Sequence, residues 1–226
     1  MKTSRFGAGE EALEAAILAD DRAGIASAIA AGAHVNARDA KQVTPLMLAV
    51  DRLKQNAVAE LLGHGADPNA KAIDGASAVS LAVANYRNAP DLMFIIIGAG
   101  GNPNMRTPGN DAVIQRFVND RRCDYIKRMK DVGADMDALT RSRSPLVLDA
   151  ALGSDWDVVW CLLELGAKYD YPPGPPEHNL VQMLADVHPA PDSPIYPFKV
   201  KVRDFLRAKG LPTPPLRGDV AGSAAR

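Results

Sequence analysis

Short apolar runs, none longer than Leu92–Ile97, alternate along this chain with small clusters of glycine, proline, asparagine and aspartate. The runs come in pairs. The first of a pair opens as in Thr44-Pro45-Leu46-Met47-Leu48-Ala49, Ser77-Ala78-Val79-Ser80-Leu81-Ala82 or Ser144-Pro145-Leu146-Val147-Leu148. A proline in the first turn of a helix costs nothing, because its missing N–H would have no partner there, so these segments are predicted to start short helices. The second of a pair, such as Ala57–Leu62, runs into a glycine able to take the left-handed conformation that closes a helix. Glu10–Ile17 with Ile25–Ala31 reads as the first pair, and Leu180–Val187 with Phe198–Lys209 as the last.

The closing glycines recur with a fixed following pattern. Gly32–Ala37, Gly65–Ala70, Gly100–Met105, Gly133–Ala138 and Gly166–Tyr171 are variants of one hexapeptide. Their leading glycines, at 32, 65, 100, 133 and 166, are separated by 33, 35, 33 and 33 residues. A period of this length marks a helical repeat array, in which one helix pair cannot bury its apolar face alone but stacked pairs can. The recurrence also settles Phe94–Asn104, where a greasy run tips into Gly98-Ala99-Gly100-Gly101 like a dinucleotide-binding loop. Such a loop needs a small residue where Pro103 stands, and a helix directly behind it to face the pyrophosphate. Phe94–Ile97 is therefore the second helix of a pair and Gly98–Gly101 its C-terminal cap.

Thr44-Pro45-Leu46 followed by Gly65-Ala66-Asp67-Pro68-Asn69, and Val158-Val159 followed by Leu162-Leu163-Glu164-Leu165-Gly166-Ala167, resemble the ankyrin repeat family. The resemblance covers residues 9–171 well and 178–211 weakly. It implies an all-α solenoid of stacked helix-turn-helix units with hairpin-like finger loops, about four to five repeats plus caps. On that reading residues 1–8 are a flexible leader and 9–39 an N-terminal cap repeat. Repeats follow at 40–73, 74–105, 106–140 and 141–171, then a divergent cap repeat at 178–211 and a disordered tail at 212–226, all in one continuous domain. Pro172–Pro176 reads as a stiff connector. Residues 106–118 are a degraded repeat, with Ala112-Val113-Ile114 where Thr-Pro-Leu is expected. Between paired helices, the repeat from Asp74 carries about two extra residues around Tyr86–Pro90. The repeat from Arg141 carries about one near Gly153–Trp156.

Composition narrows the function classes. A formal net charge of −1 argues against nucleic acid as the partner, and no apolar stretch is long enough to span a bilayer. The start has no uninterrupted apolar core of an export signal, so the chain reads as cytoplasmic as given, or periplasmic if such a signal was removed. Cys123 and Cys161 make no disulfide framework and read as two buried thiols in a reducing compartment. His34, His64, His178 and His188 have no metal-ligand spacing and read as polar end or loop residues. No cofactor or metal site is expected. No G-x-S-x-G elbow, phosphate loop or H-E-x-x-H occurs, and Asp155 and Asp157 read as helix-start acids.

The resemblance implies a non-catalytic module that binds another protein through a concave face built from fingers and first helices. Arg38, Lys71 and Arg106 stand six residues after successive leading glycines, with Lys41, Arg141 and Arg143 at neighbouring finger positions. A row of this kind would steer a partner with an acidic surface, although Asp39 and Asp74 dilute it. Tyr86, Trp156 and Tyr196 fall at the lengthened inter-helix loops and are expected to be exposed interface anchors. Trp160 occupies a second-helix position that faces either solvent or the C-terminal cap. One narrower form of the binding reading is an inhibitor or immunity protein for a bacterial toxin or effector. The competing classes are a hydrolase with an unrecognised site, which a single polar substitution would inactivate, and self-association through Asn110–Phe117, which light scattering would detect.

Overall fold

Helix ends decide this architecture. In the computed structural model, which describes residues 4–170, 179–186 and 189–216, the glycines that close the second helices lie in the left-handed region, from Gly210 at φ 81° to Gly32 at φ 105°. The chain divides into two compact units, Met1–Val113 and Ile114–Arg226.

In the first unit, six helices form three pairs: α1 (Glu11–Ala19) with α2 (Arg22–Ala30), α3 (Pro45–Asp51) with α4 (Gln55–Gly63), and α5 (Ala78–Ala84) with α6 (Leu92–Gly98). First helices pack on first helices, α1 on α3 and α3 on α5, and second helices on second helices, α2 on α4 and α4 on α6. Thr44 caps α3 by accepting from the Met47 amide at 3.2 Å, with Pro45 in the first turn. Ser77 and Ser80 form a reciprocal capping box on α5, at 2.9 and 3.2 Å. Between pairs, the chain turns back at 39–43, 72–76 and 107–111, each turn closed by an amide-to-carbonyl bond such as Asp39 to Val43 at 3.1 Å. These are the fingers.

Below the fingers, asparagines tie one repeat to the next. Asn36 donates from Nδ2 to the Gly65 carbonyl (3.1 Å) and accepts from the Asp67 amide (2.8 Å). Asn69 repeats this with the Gly100 carbonyl (2.9 Å) and the Asn102 amide (2.8 Å). Residues 4–8, expected to be a flexible leader, are instead folded onto the first repeat. Ser4 donates to Glu14 at 2.7 Å, Phe6 is buried, and Arg5 pairs with Asp39 at 2.6 Å.

The second unit holds α7 (Gln115–Asn119), α8 (Cys123–Asp131), α9 (Leu146–Leu152), α10 (Trp156–Glu164), α11 (Leu180–Asp186) and α12 (Tyr196–Ala208). α7 packs on α9 and α9 on α11, while α8 packs on α10 and α10 on α12. Among the described residues all twelve elements are helices, and the only bridges are Arg106 with Ala112 and Leu139 with Pro145, at the bases of two fingers. The finger at 140–144 shows that Pro145, not Ser144, stands in the register of Thr44. α9 therefore starts behind a proline with no side-chain cap. The loop at 153–155 then has the same three-residue length as that at 52–54, so the extra residue expected near Gly153 is absent. The longer loop is real at 85–91.

Three further expectations need correction. Cys123 and Cys161 are joined in a disulfide rather than free, because the stacking of α8 on α10 brings residues 38 apart in sequence to a Cα separation of 6.1 Å. Tyr86 is buried: loop 85–91 folds inward, carrying Tyr86 and Ala89 into the core, with turns from Asn88 and Ala89 amides to the Asn85 carbonyl. Residues 212–216, assigned to a disordered tail, instead lie against α12. The Leu211 amide bonds to the Leu206 carbonyl, Arg207 bonds Thr213 at 2.8 Å, and Leu216 is buried. The connector Pro172–Pro176, the histidines His178 and His188, and tail residues 217–226 lie outside the described residues.

Candidate functional site

In the first unit, the finger at 39–43 is braced by one carboxylate. Asp39 Oδ1 accepts from the amides of Lys41 and Val43, both at 2.8 Å, and Oδ2 accepts from Arg5 Nη2 at 2.6 Å and Nε at 3.2 Å. Burial alone would raise the Asp39 pKa; the Arg5 hydrogen bond and the two amides outweigh it and hold the carboxyl below its usual range. The next finger, 72–76, is closed by the Ala72 amide on the Ala76 carbonyl, with Asp74 Oδ1 accepting from the Ala76 amide, both at 2.9 Å. The Ile73 amide donates to the Lys41 carbonyl at 3.0 Å and locks the two fingers together.

Under these fingers lies a cleft of about 240 Å³. Met47, Ala72, Ala76, Val43 and Leu81 make an apolar floor, with Leu48 beside them. Arg5 and Lys41 stand at its rim together with Asp51 and Asp74. Ile73 projects from the finger tip with 73% of its surface exposed. A second hollow of about 350 Å³, lined by Lys41, Val43, Ala72, Ile73 and Asp74, adjoins it on the same fingers.

The basic finger residues separate into different roles. Arg38, Lys41 and Lys71 lie on adjoining fingers and are exposed. Arg38 nevertheless spends its guanidinium on Gln42 Oε1 (3.4 Å) and the Lys71 carbonyl (3.3 Å). Arg106 bonds within its own finger, from Nε to both the carbonyl and Oδ1 of Asn110 at 2.8 Å. Two arginines thus brace fingers, and the cleft mixes both signs of charge. In the second unit, Arg141 and Arg143 are exposed on the finger at 140–144, with Arg143 in the left-handed region at φ 64°.

The aromatic anchors fare worse. Tyr86 is 1% exposed, and its hydroxyl lies 3.4 Å from Arg87 Nε. Trp156 is 0% exposed, the first residue of α10, with Lys199 of α12 over its ring. Neither can touch a partner. Tyr196 at the start of α12 remains half-buried. Trp160 meets the C-terminal cap, edge-on to Phe205 at 6.3 Å between centroids and beneath Lys201.

His34 and His64 do not converge. His34 lies 3.0 Å from Glu10, and His64 lies 3.2 Å from Glu60. Asp155 and Asp157 both face Arg121, at 3.4 and 2.8 Å. No group of three or more metal-ligating side chains occurs among the described residues.

Arg5, Met47, Asp51 and Ile73 were not singled out from the sequence. Ile73 had a legible signal, as the one large apolar residue in the turn Lys71-Ala72-Ile73-Asp74-Gly75. Arg5 had none, since its place depends on a carboxylate 34 residues away.

Among the described residues no helix is long and apolar enough to cross a membrane. A comparison with curated proteins found no match. The family model for the ankyrin repeat matches residues 41–73, the stretch that carries the first finger tip, α3, α4 and the second finger up to Ile73. Residues 41–73 thus match an ankyrin repeat, and the 33-residue step of the capped glycines and the like-on-like stacking of paired helices within each unit give the described residues an ankyrin-repeat fold.

Proposed function

We propose that this chain binds another protein and that the cleft beneath the fingers 39–43 and 72–76 is the docking surface. Ankyrin repeats are in general protein–protein interaction modules, and the family is generally non-catalytic. The observation that carries the proposal is Ile73, a large apolar side chain held out at 73% exposure on a finger whose backbone is bonded to its neighbour, above an apolar floor. A rigid apolar tip beside a preformed cleft binds with little ordering cost. The partner would lay a short segment across the fingers, burying Ile73 and filling the cleft with an apolar side chain.

The mixed rim favours a partner bearing both signs of charge over a uniformly acidic surface, because Arg5 is committed to Asp39 while Asp51 and Asp74 face the same opening. An inhibitor or immunity protein for a toxin or effector is one case of this reading, in which the bound segment belongs to the target's own working surface.

The test is affinity capture with mass spectrometry on the wild type, Ile73→Asp and the double variant Arg106→Glu/Arg143→Glu. Burying most of an isoleucine is worth about 1.5–2 kcal/mol, so Ile73→Asp should lose the partner by at least about ten-fold. The double variant should retain it. Equal retention by Ile73→Asp, with its fold intact by circular dichroism, refutes the cleft. Loss only in the double variant moves the interface to the basic fingers.

A further inference from the structure

The repeat 106–140 opens on a short, uncapped first helix. Its first helix, α7, has five residues where α3, α5 and α9 have seven. Ala112 stands in the register of the capping residues Thr44 and Ser77 and offers no side-chain oxygen, and α7 has no side-chain cap. Its second helix, α8, begins behind Arg122 and, like α2, α4, α6, α10 and α12, has no side-chain cap. Beside the packing of α8 on α10, an ion pair and a covalent bond join this stretch to α10 and the loop before it. One is Arg121, which reaches Asp157 at 2.8 Å and Asp155 at 3.4 Å. These groups are a quarter to two-fifths exposed, and ion pairs of that kind contribute little. The other is the Cys123–Cys161 bond, from the first residue of α8 to the middle of α10.

The geometry points to a redox-controlled latch: the Cys123–Cys161 disulfide holds the weak repeat α7–α8 closed, and its reduction by a dithiol releases that repeat while the rest of the fold stays formed. The two sulfurs are not equally accessible, since Cys161 is 2% exposed and Cys123 half-buried at the surface end of α8. A thiolate of the reductant attacks Cys123 Sγ and forms a mixed disulfide. The Cys161 sulfur leaves with the bonding pair and takes up a proton. The second thiol of the reductant then attacks its own sulfur in the mixed disulfide, freeing Cys123 as a thiol and leaving the reductant as a cyclic disulfide. Two protein thiols are formed, and one dithiol is oxidised.

The leverage comes from chain length. A crosslink between residues 38 apart removes loop freedom worth about 10²- to 10³-fold in the population of the opened chain. The exposed ion pairs of Arg121 with Asp155 and Asp157 contribute far less. The α9–α12 packing does not depend on the bond except through α10, which keeps its contacts with α9 and α12.

The experiment is hydrogen–deuterium exchange on the full chain, purified without reductant, before and after dithiothreitol. Amides of 115–131 are expected to exchange at least about ten-fold faster after reduction, while those of α3, α4 and α12 keep their rates. A Cys123→Ser/Cys161→Ser variant should show the reduced pattern with and without dithiothreitol. The wild-type measurement stands alone should that variant fail to fold. Two titratable thiols in the protein purified without reductant, unchanged exchange at 115–131, or equal loss of protection in α3 and α4 would each overturn the latch.

Discussion

Asn69 offers the sharpest test of what holds successive repeats together. Its side chain donates to the Gly100 carbonyl at 2.9 Å and accepts from the Asn102 amide at 2.8 Å, two bonds that cross from one repeat to the next. Asn69→Ala removes both. Each is solvent-exposed, so water replaces the lost partner and the net loss is about 1 kcal/mol per bond, or about 2 kcal/mol in all. Asn69→Asp keeps the acceptor and loses only the donor, so it should cost about half as much. Asp137 already shows the acceptor half alone, taking the Lys168 amide at 2.7 Å.

The assay is equilibrium unfolding in urea followed by far-UV circular dichroism, because both tryptophans, Trp156 and Trp160, lie in the other unit and report on it instead. Exchange at the Asn102 amide supplies a local check and should rise in both variants, more in Asn69→Ala. A loss below about 0.3 kcal/mol in Asn69→Ala would show that the ladder contributes nothing beyond its geometry. Asn69→Asp proving less stable than Asn69→Ala would show that the acceptor bond is not stabilising.

Two further outcomes follow from glycine and lysine positions. A Cβ at Gly101 would sit 2.8 Å from the Ile96 carbonyl oxygen, a backbone atom that cannot step aside, whereas one at Gly65 meets nothing within 4 Å and is opposed only by its φ of 83°. Gly65→Ala should therefore cost about 1 kcal/mol and Gly101→Ala clearly more, by urea unfolding of both. Lys199 is fully buried, and burial pushes its ammonium from 10.5 down to about 8. The unfolded chain then holds the proton more tightly, so this group opposes folding fully below pH 8 and the penalty fades as pH rises toward 10.5. Lys199→Met should raise stability at pH 7 by about 2 kcal/mol and gain little at pH 10.5; an equal gain at both would refute the assignment.

Much of the fold was legible because helix ends are local. Whether a glycine turns left-handed after His64, or a proline opens a helix after Thr44, is decided within a few residues by backbone sterics. That is why the 33-residue step and the ends of α3, α4 and α6 could be read directly. Ser144-Pro145 misled for the same reason: the dipeptide looks like a helix start, yet the finger closure at Thr140–Ser144 sets the register and puts Pro145 one place earlier.

The candidate site was only partly legible. Lys41 could be placed on a finger, but not which charges it would meet across the cleft. Arg38 and Arg106 carry charge in the sequence and brace fingers in the structure, because a turn of five residues leaves carbonyls within reach of a long guanidinium.

The sequence alone determined the period, the helix pairs and most of their ends, and hence the ankyrin-repeat fold. Only the tertiary structure decided that Tyr86 and Trp156 face inward, that Arg5 closes on Asp39 across 34 residues, and that Cys123 meets Cys161 across 38. The first set follows from conformational preferences acting within one turn of chain. The second depends on where whole helices lie against each other, and that is set by the packing of many side chains together rather than by any short stretch of residues.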